Sequence, residues 1–243
     1  MGDDRDPEKG NAHRSCRRRP PSAEERAGLI VVKVGGSLFD LPDLASRLRL
    51  WLDELPPCGV LLVPGGGRLA DVIRSFDAQH GLGESLAHEL ALGAMSLNAR
   101  LLAALLSPQA SLVNSWSVCP APWRQGKVGV ADALCFLQAN REEEDGLPHS
   151  WGVTSDSIAA HLALRGKAAQ LILLKSITIP EHWHWTEAAR RGYVDDYFVS
   201  AVRRLDEESY PRCLVRAVNF REWRPSGKGD GLSTVKERTP LVG

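Results

Sequence analysis

The chain has 243 residues, and its thirty basic and thirty acidic side chains cancel to a formal charge of zero. That balance excludes bulk attraction to nucleic acid or to an anionic membrane, so any affinity for phosphate must be local. No apolar run approaches the roughly 20 residues that cross a bilayer, and five scattered cysteines without a C-x-x-C pair argue for reduced thiols; a cytoplasmic protein with no membrane partner is expected.

Residues 1–28 are polar, with acids ahead of Arg17, Arg18 and Arg19, and read as a flexible tail. A folded domain is expected over 29–223. It opens with LIVVKVGGS, Leu29 to Ser37, in which a β-branched run forms a buried strand and Gly35 and Gly36 let the backbone turn sharply. Asp40 to Leu55 reads as a helix with Leu44, Leu48, Leu52 and Leu55 along one stripe, stopped by Pro56 and Pro57. A second strand, Val60 to Val63, ends in Gly65, Gly66 and Gly67, and a helix with Leu69, Val72, Ile73 and Phe76 at helical spacing follows at once. Strand, glycine loop and helix thus occur twice, which predicts a parallel sheet with both loops at the carboxyl edge.

The stretch from Gly83 to Leu106 is the longest helical pattern. Its stripe of Leu86, Leu90, Leu97, Leu101 and Leu105 reads as a core face, Gly93 and Ala94 admit a close neighbour, and any subunit contact falls to the other face. Short strands are expected at Ser111 to Asn114 and Lys127 to Val130, a helix at Ala131 to Gln138, and a solvated acidic loop at Asn140 to Gly146. Thr154 or Ser155 then caps a helix that carries Asp156 in its first turn. A strand over Gln170 to Lys175, helices over Thr186 to Arg191 and Val194 to Leu205, and a last strand over Arg212 to Val218 complete the domain. From Arg224 a Gly, Ser, Lys and Pro composition reads as a second tail, 224–243.

Lys33 is the anomaly of the first strand. An ammonium beside exposed loop N–H groups and a helix start suits a phosphate; the alternative is a lysine whose stem snorkels from an edge strand. Asp156 likewise has two readings, a site carboxylate or an acid favoured by the helix dipole.

The order KVGGS, VPGGG, TSDSIAA, LILLK resembles the amino acid kinase family, over roughly Leu29 to Phe220. SWGVTSDSIAA is similar to a segment of the archaeal-type kinases that phosphorylate an aminomethylfuran-methyl phosphate in methanofuran synthesis. The resemblance implies a three-layer αβα sandwich around a mainly parallel sheet, ATP and Mg²⁺ as cofactors, a small-molecule phosphate acceptor and a homo-oligomer. It also implies that Lys33 reaches the transferring phosphoryl group, that Gly35, Gly36 and Ser37 hold nucleotide phosphates, and that Gly65, Gly66 and Gly67 wrap the acceptor. Asp156 corresponds to the family aspartate that positions catalytic lysines, and Thr154 and Ser155 beside it are assigned to the acceptor. The expected activity is ATP-dependent phosphorylation of a small anionic acceptor, a phosphomonoester or carboxylate of one-carbon cofactor synthesis.

Two departures bear on this. Relatives commonly read S/T-D-V-x-G after the strand that ends here at Lys175, whereas this chain continues Ser176, Ile177, Thr178, Ile179, Pro180. A second catalytic lysine after a later G-G-M or D-G-M turn is also missing, the region reading Asp195, Asp196, Tyr197, Phe198, Val199, Ser200. Lys175, expected at the same sheet edge, is the candidate to supply that second charge. If nucleotide binding has instead been lost, the chain is a kinase-fold protein that binds a phosphorylated small molecule as regulator or storage module. Gly65 to Ala70 also fits the dinucleotide fingerprint G-x-G-x-x-A, but it follows the second strand, not the first. His182 and His184 beside Glu181 read as surface histidines, since no third metal ligand is near in sequence.

Overall fold

The structure is a computed structural model that describes residues 28–139, 147–209 and 211–225. Most of both expected tails and the acidic loop Asn140 to Gly146 lie outside the described residues. Six strands, β1 (Leu29–Val34), β2 (Gly59–Pro64), β3 (Ala110–Val113), β4 (Val128–Ala131), β5 (Ala168–Lys175) and β6 (Leu214–Asn219), form one sheet. Their order is β3-β4-β2-β1-β5-β6 and every pairing is parallel, so the expected mainly parallel sheet is wholly so.

Side chains alternate along β1, and the alternation sets both faces of the sheet. Ile30, Val32 and Val34 meet Val60, Leu62, Ile172 and Leu174 on one side, under Leu44, Leu48, Trp51 and Leu52 of α1 (Leu44–Asp53). Val31 points the other way, into a cluster with Leu61, Val63, Leu171 and Leu173. Over that cluster lie α5 (Ala133–Gln138), α6 (Ser155–Arg165), α7 (Trp185–Arg190) and α8 (Phe198–Glu208). Lys33 follows Val31 by two residues and Lys175 follows Leu173 by two, so both lysines emerge on the α6 side at the carboxyl ends of adjacent strands.

The remaining helices are α2 (Gly67–His80), α3 (Glu84–Leu105) and the short α4 (Pro120–Arg124). None of the helices is long and apolar enough to cross a membrane, among the described residues. The helix expected from Asp40 begins instead at Leu44, after a 3₁₀ turn over Gly36–Asp40. Pro42 is the reason: it disfavours helical backbone at the residue before it, and Leu41 is extended (φ −77°, ψ 119°).

The leucine stripe of α3 overturns its expected role. Leu86, Leu90, Leu97, Leu101 and Leu105 are 40–57% exposed, and it is the opposite face, with Leu92, Met95, Ala99 and Leu102, that packs inward. In α2 the same reversal leaves only Ala70 buried. Periodicity defines a stripe but not the body it packs on.

Candidate active site

The carboxyl ends of β1 and β5 deliver two ammoniums to one carboxylate. Lys33 Nζ lies 2.8 Å from Asp156 Oδ1, and Lys175 Nζ lies 2.6 Å from Oδ2. All three residues are buried, at 5%, 3% and 8% exposure for Lys33, Asp156 and Lys175. The Lys175 contact is a directed hydrogen bond. The Lys33 contact has ion-pair distance without hydrogen-bond direction, which leaves Asp156 Oδ1 with no hydrogen-bond donor.

Burial pushes the Asp156 carboxyl up, but the Lys33 and Lys175 charges overcome it and hold the group below its ordinary value. Burial, and then the neighbouring Lys33 charge, bring Lys175 down to about 8 against the pull of Asp156. Two positive charges against one negative leave the cluster a net cation, suited to charge spread over a phosphoryl group.

The two glycine loops meet beside this cluster, backbone against backbone. A Cβ on Gly36 would sit 2.2 Å from Gly67 N, and one on Gly67, whose φ is +53°, would sit 2.4 Å from Gly36 O. Gly35 N donates to Leu174 O at 2.9 Å and Gly65 N to Val34 O at 2.8 Å, which ties both loops to the strand ends. The helical segments that begin at Gly36 and Gly67 carry no side-chain cap. Asn98, buried on α3, donates from Nδ2 to Gly65 O (2.7 Å) and Gly66 O (2.8 Å) and fixes the second loop from behind.

The start of α6 is finished differently. Asp195 Oδ2 accepts from Thr154 N (3.2 Å), Thr154 Oγ1 (2.7 Å) and Ser157 N (3.1 Å). Its Oδ1 accepts from Ser157 Oγ and from Phe198 N at 3.0 Å, so one carboxylate caps both α6 and α8. Thr154 is therefore the N-cap by position, while its polar atoms are taken by Asp195. Ser155 faces the second glycine loop: its Oγ would lie 2.9 Å from a Cβ on Gly65.

Ser37 donates its hydroxyl to Ser176 Oγ at 2.9 Å, which joins the first loop to the segment after Lys175. Arg68, exposed in the first turn of α2, forms no ion pair among the described residues. His182 and His184 are exposed on the loop before α7. A cavity of about 370 Å³ between Arg49, Gln109 and Lys127 opens at the opposite edge of the sheet and is no part of this site.

Sequence reading missed Asp195 and Asn98 as site-building residues. Asn98 had a signal, a polar side chain on the inward face of an otherwise apolar helix. Asp195 had only its acidity, because the groups it caps at α6 are 38 and 41 residues away.

The family resemblance implies Mg²⁺. Among the described residues no group of three His, Cys, Asp or Glu side chains is placed to hold a metal. Magnesium usually binds through one or two carboxylates together with substrate phosphates. Asp156 is the carboxylate of this cluster, and its Oδ1, ion-paired with Lys33 at 2.8 Å, would have to be shared with an ion that arrives on those phosphates.

A curated relative, the [5-(aminomethyl)furan-3-yl]methyl phosphate kinase of Methanocaldococcus jannaschii, is 27% identical over 147 residues, 54% of this chain and 58% of the relative. The chain thus spans less than two thirds of that relative's length. The solved uridylate kinase of Archaeoglobus fulgidus shares the fold with a TM-score of 0.55 at 20% identity, over 78% of this chain and 89% of its own. The UMP kinase of Bacillus anthracis gives 0.53 at 14%, over 80% and 88%. The family model for the amino acid kinase family matches residues 28–178, and with more than half of its length so matched this chain belongs to the amino acid kinase family.

Proposed function

We infer that the protein is an ATP-dependent phosphotransferase, acting in the cytoplasm on a small anionic acceptor. The observation that carries this reading is the buried Lys33–Asp156–Lys175 cluster beside two uncapped glycine-loop helix starts. In the reaction the bond from the γ-phosphorus to the bridging oxygen breaks, ADP leaves, and an acceptor oxygen forms the new P–O bond. An anionic acceptor oxygen carries no proton to remove, so alignment and charge neutralisation are what the protein must supply.

Gly35, Gly36 and Ser37 hold the nucleotide phosphates, and Lys33 and Lys175 face the transferring group from one side. Asp156 keeps the two ammoniums apart and oriented. Gly65, Gly66 and Gly67, with Ser155, cradle the acceptor, and Arg68 offers it a counter-charge; Thr154 serves the same region through its link to Asp195. Mg²⁺ bound with the nucleotide would neutralise part of the phosphate charge, with Asp156 as its protein contact. The relative named for a furan-methyl phosphate makes a phosphomonoester of one-carbon cofactor synthesis the acceptor class to test first. A homo-oligomer belongs to the same reading.

The departure over Ser176 to Pro180 favours a second reading, a kinase-fold module that binds a phosphorylated small molecule without transfer. Calorimetry with Mg·ATP separates the two. Saturable binding, followed by ADP release in a screen of phosphomonoester, carboxylate and carbamate acceptors, supports the kinase; no binding of Mg·ATP removes it.

A further inference from the structure

The turn that follows β6 is fastened on several sides. Phe220 is fully buried, with Trp51 edge-on at 6.2 Å and Trp223 stacked on it at 5.6 Å. Arg47 Nη1, on α1, donates to the carbonyls of Arg221 (3.0 Å), Trp223 (3.3 Å) and Phe220 (3.4 Å), and Phe220 N donates to Lys175 O at 2.8 Å. The backbone of Arg221 is therefore fixed, and its side chain crosses to the first glycine loop. Arg221 Nη2 donates to Asp40 Oδ1 (2.7 Å), Asp40 Oδ2 (2.8 Å) and Ser37 O (3.0 Å). Asp40 closes the 3₁₀ turn that Gly36 opens, so the guanidinium grips that turn at its far end.

The same turn is reached from the end of β5. Ser37 donates to Ser176 Oγ at 2.9 Å, Asn219 Nδ2 donates to Thr178 Oγ1 at 2.9 Å, and Thr178 Oγ1 donates to Glu222 Oε2 at 3.3 Å. The contacts close a ring that runs through Ser37, Ser176, Thr178, Asn219 and Arg221 and returns to Ser37. Ser176 and Thr178 belong to the stretch in which this chain departs from its relatives. That stretch carries bracing hydroxyls where relatives commonly carry an acid and a glycine.

An exposed ion pair by itself contributes little. Most arginine pairs of this kind here are local: Arg190–Glu187, Arg203–Glu207 and Arg212–Asp206 join residues three to six apart. Arg221 and Asp40 are 181 residues apart, so their contact fixes one part of the fold against another. Its nitrogen also serves a carbonyl of the glycine loop, with the added strength of a charged donor.

We propose that Arg221 is a positioning residue for the nucleotide. Paired with Asp40, it holds the Gly36–Asp40 turn in the orientation that presents Gly35, Gly36 and Ser37 to the nucleotide phosphates, and the hydroxyls of Ser176 and Thr178 complete the brace. Arg221 acts through the loop and not on the transferring group. This role rests on the phosphotransferase reading and deepens it by naming what sets the nucleotide loop.

Calorimetry of the full chain with Mg·ATP tests it. Arg221→Ala should weaken binding about tenfold, the equivalent of one charge-assisted hydrogen bond, at unchanged stoichiometry. Asp40→Ala should weaken it similarly, and the double variant should bind no worse than the weaker single variant, because both remove the same contact. Arg212→Ala, which breaks the Arg212–Asp206 pair at the other end of β6, should bind as the parent does. Asp40 is exposed, so its variant carries the test if Arg221→Ala does not fold. A merely structural brace would lower the unfolding midpoint or the stoichiometry and leave Kd where it is, and that result overturns the proposal. Additive losses in the double variant overturn it as well. A parent chain that binds no Mg·ATP overturns the phosphotransferase reading and this role together, whereas a parent that binds no better than Arg221→Ala and Asp40→Ala overturns the role alone.

Discussion

Two kinds of helix start stand side by side in this molecule, and they are finished in opposite ways. At α6 one carboxylate, Asp195, collects donors from Thr154, Ser157 and Phe198, so the positive end of that helix is already neutralised from within. At Gly36 and Gly67 the first N–H groups have no side-chain cap, and the loops are pressed together so tightly that only glycine fits. The capped start fixes geometry and holds Asp156 between two lysines. At the uncapped starts no side chain takes that place. On the proposed function an anion belongs at the glycines, and the acid at the head of α6 orients the lysines.

The sharpest way to break this contrast is Lys33→Ala, which leaves the caps alone and removes one charge from the anion side. Turnover should fall by about 10²–10³-fold, the usual cost of losing one preorganised charge-stabilising donor, while circular dichroism stays unchanged. Near-normal turnover would detach Lys33 from the chemistry. Next is Asp195→Ala, which strips the capped side. Unpaired donors at two helix starts should cost about 1–2 kcal/mol of stability in denaturant unfolding, with a smaller fall in turnover than Lys33→Ala produces.

Arg68→Ala sharpens the acceptor side. The acceptor KM should rise roughly tenfold, close to one charge-assisted hydrogen bond of about 1.5 kcal/mol, with the KM for ATP unchanged. The smallest effect is a displacement in pH. Lys175 carries its charge below about 8 and loses it above, so kcat should decline as pH rises through that value, and Lys175→Arg should move the decline upward. Stability should run the other way. With the folded value depressed to about 8 from 10.5, the unfolded chain binds more protons across that window, so stability rises with pH there. Parallel movement of activity and stability would contradict this role for Lys175.

Those parts of the site that depend on local pattern were legible in the sequence. Strand, glycine loop and helix appear twice, and the period of two along β1 and β5 turns Lys33 and Lys175 to the same face. Lys175 in particular could be proposed from its place at the end of an apolar run, before any pairing was known. What depends on distant partners was not legible. The sequence has no mark joining Asp195 to Thr154, and the stripes of α2 and α3 look the same whether they face their own core or another chain. The start of α1 was misjudged for a local reason, since Pro42 moves it to Leu44.

The contact between Gly36 and Gly67 has one more implication. With peptide planes from the two glycine loops interlocked and both hung from the strand ends, a change in either loop is felt by the other. On the proposed function, substrates are then sorted by the walls, namely the stretch before α6 and the one after Lys175. New acceptor preferences should accordingly arise by changes in those walls, because almost any new side chain in the floor would jam both loops at once.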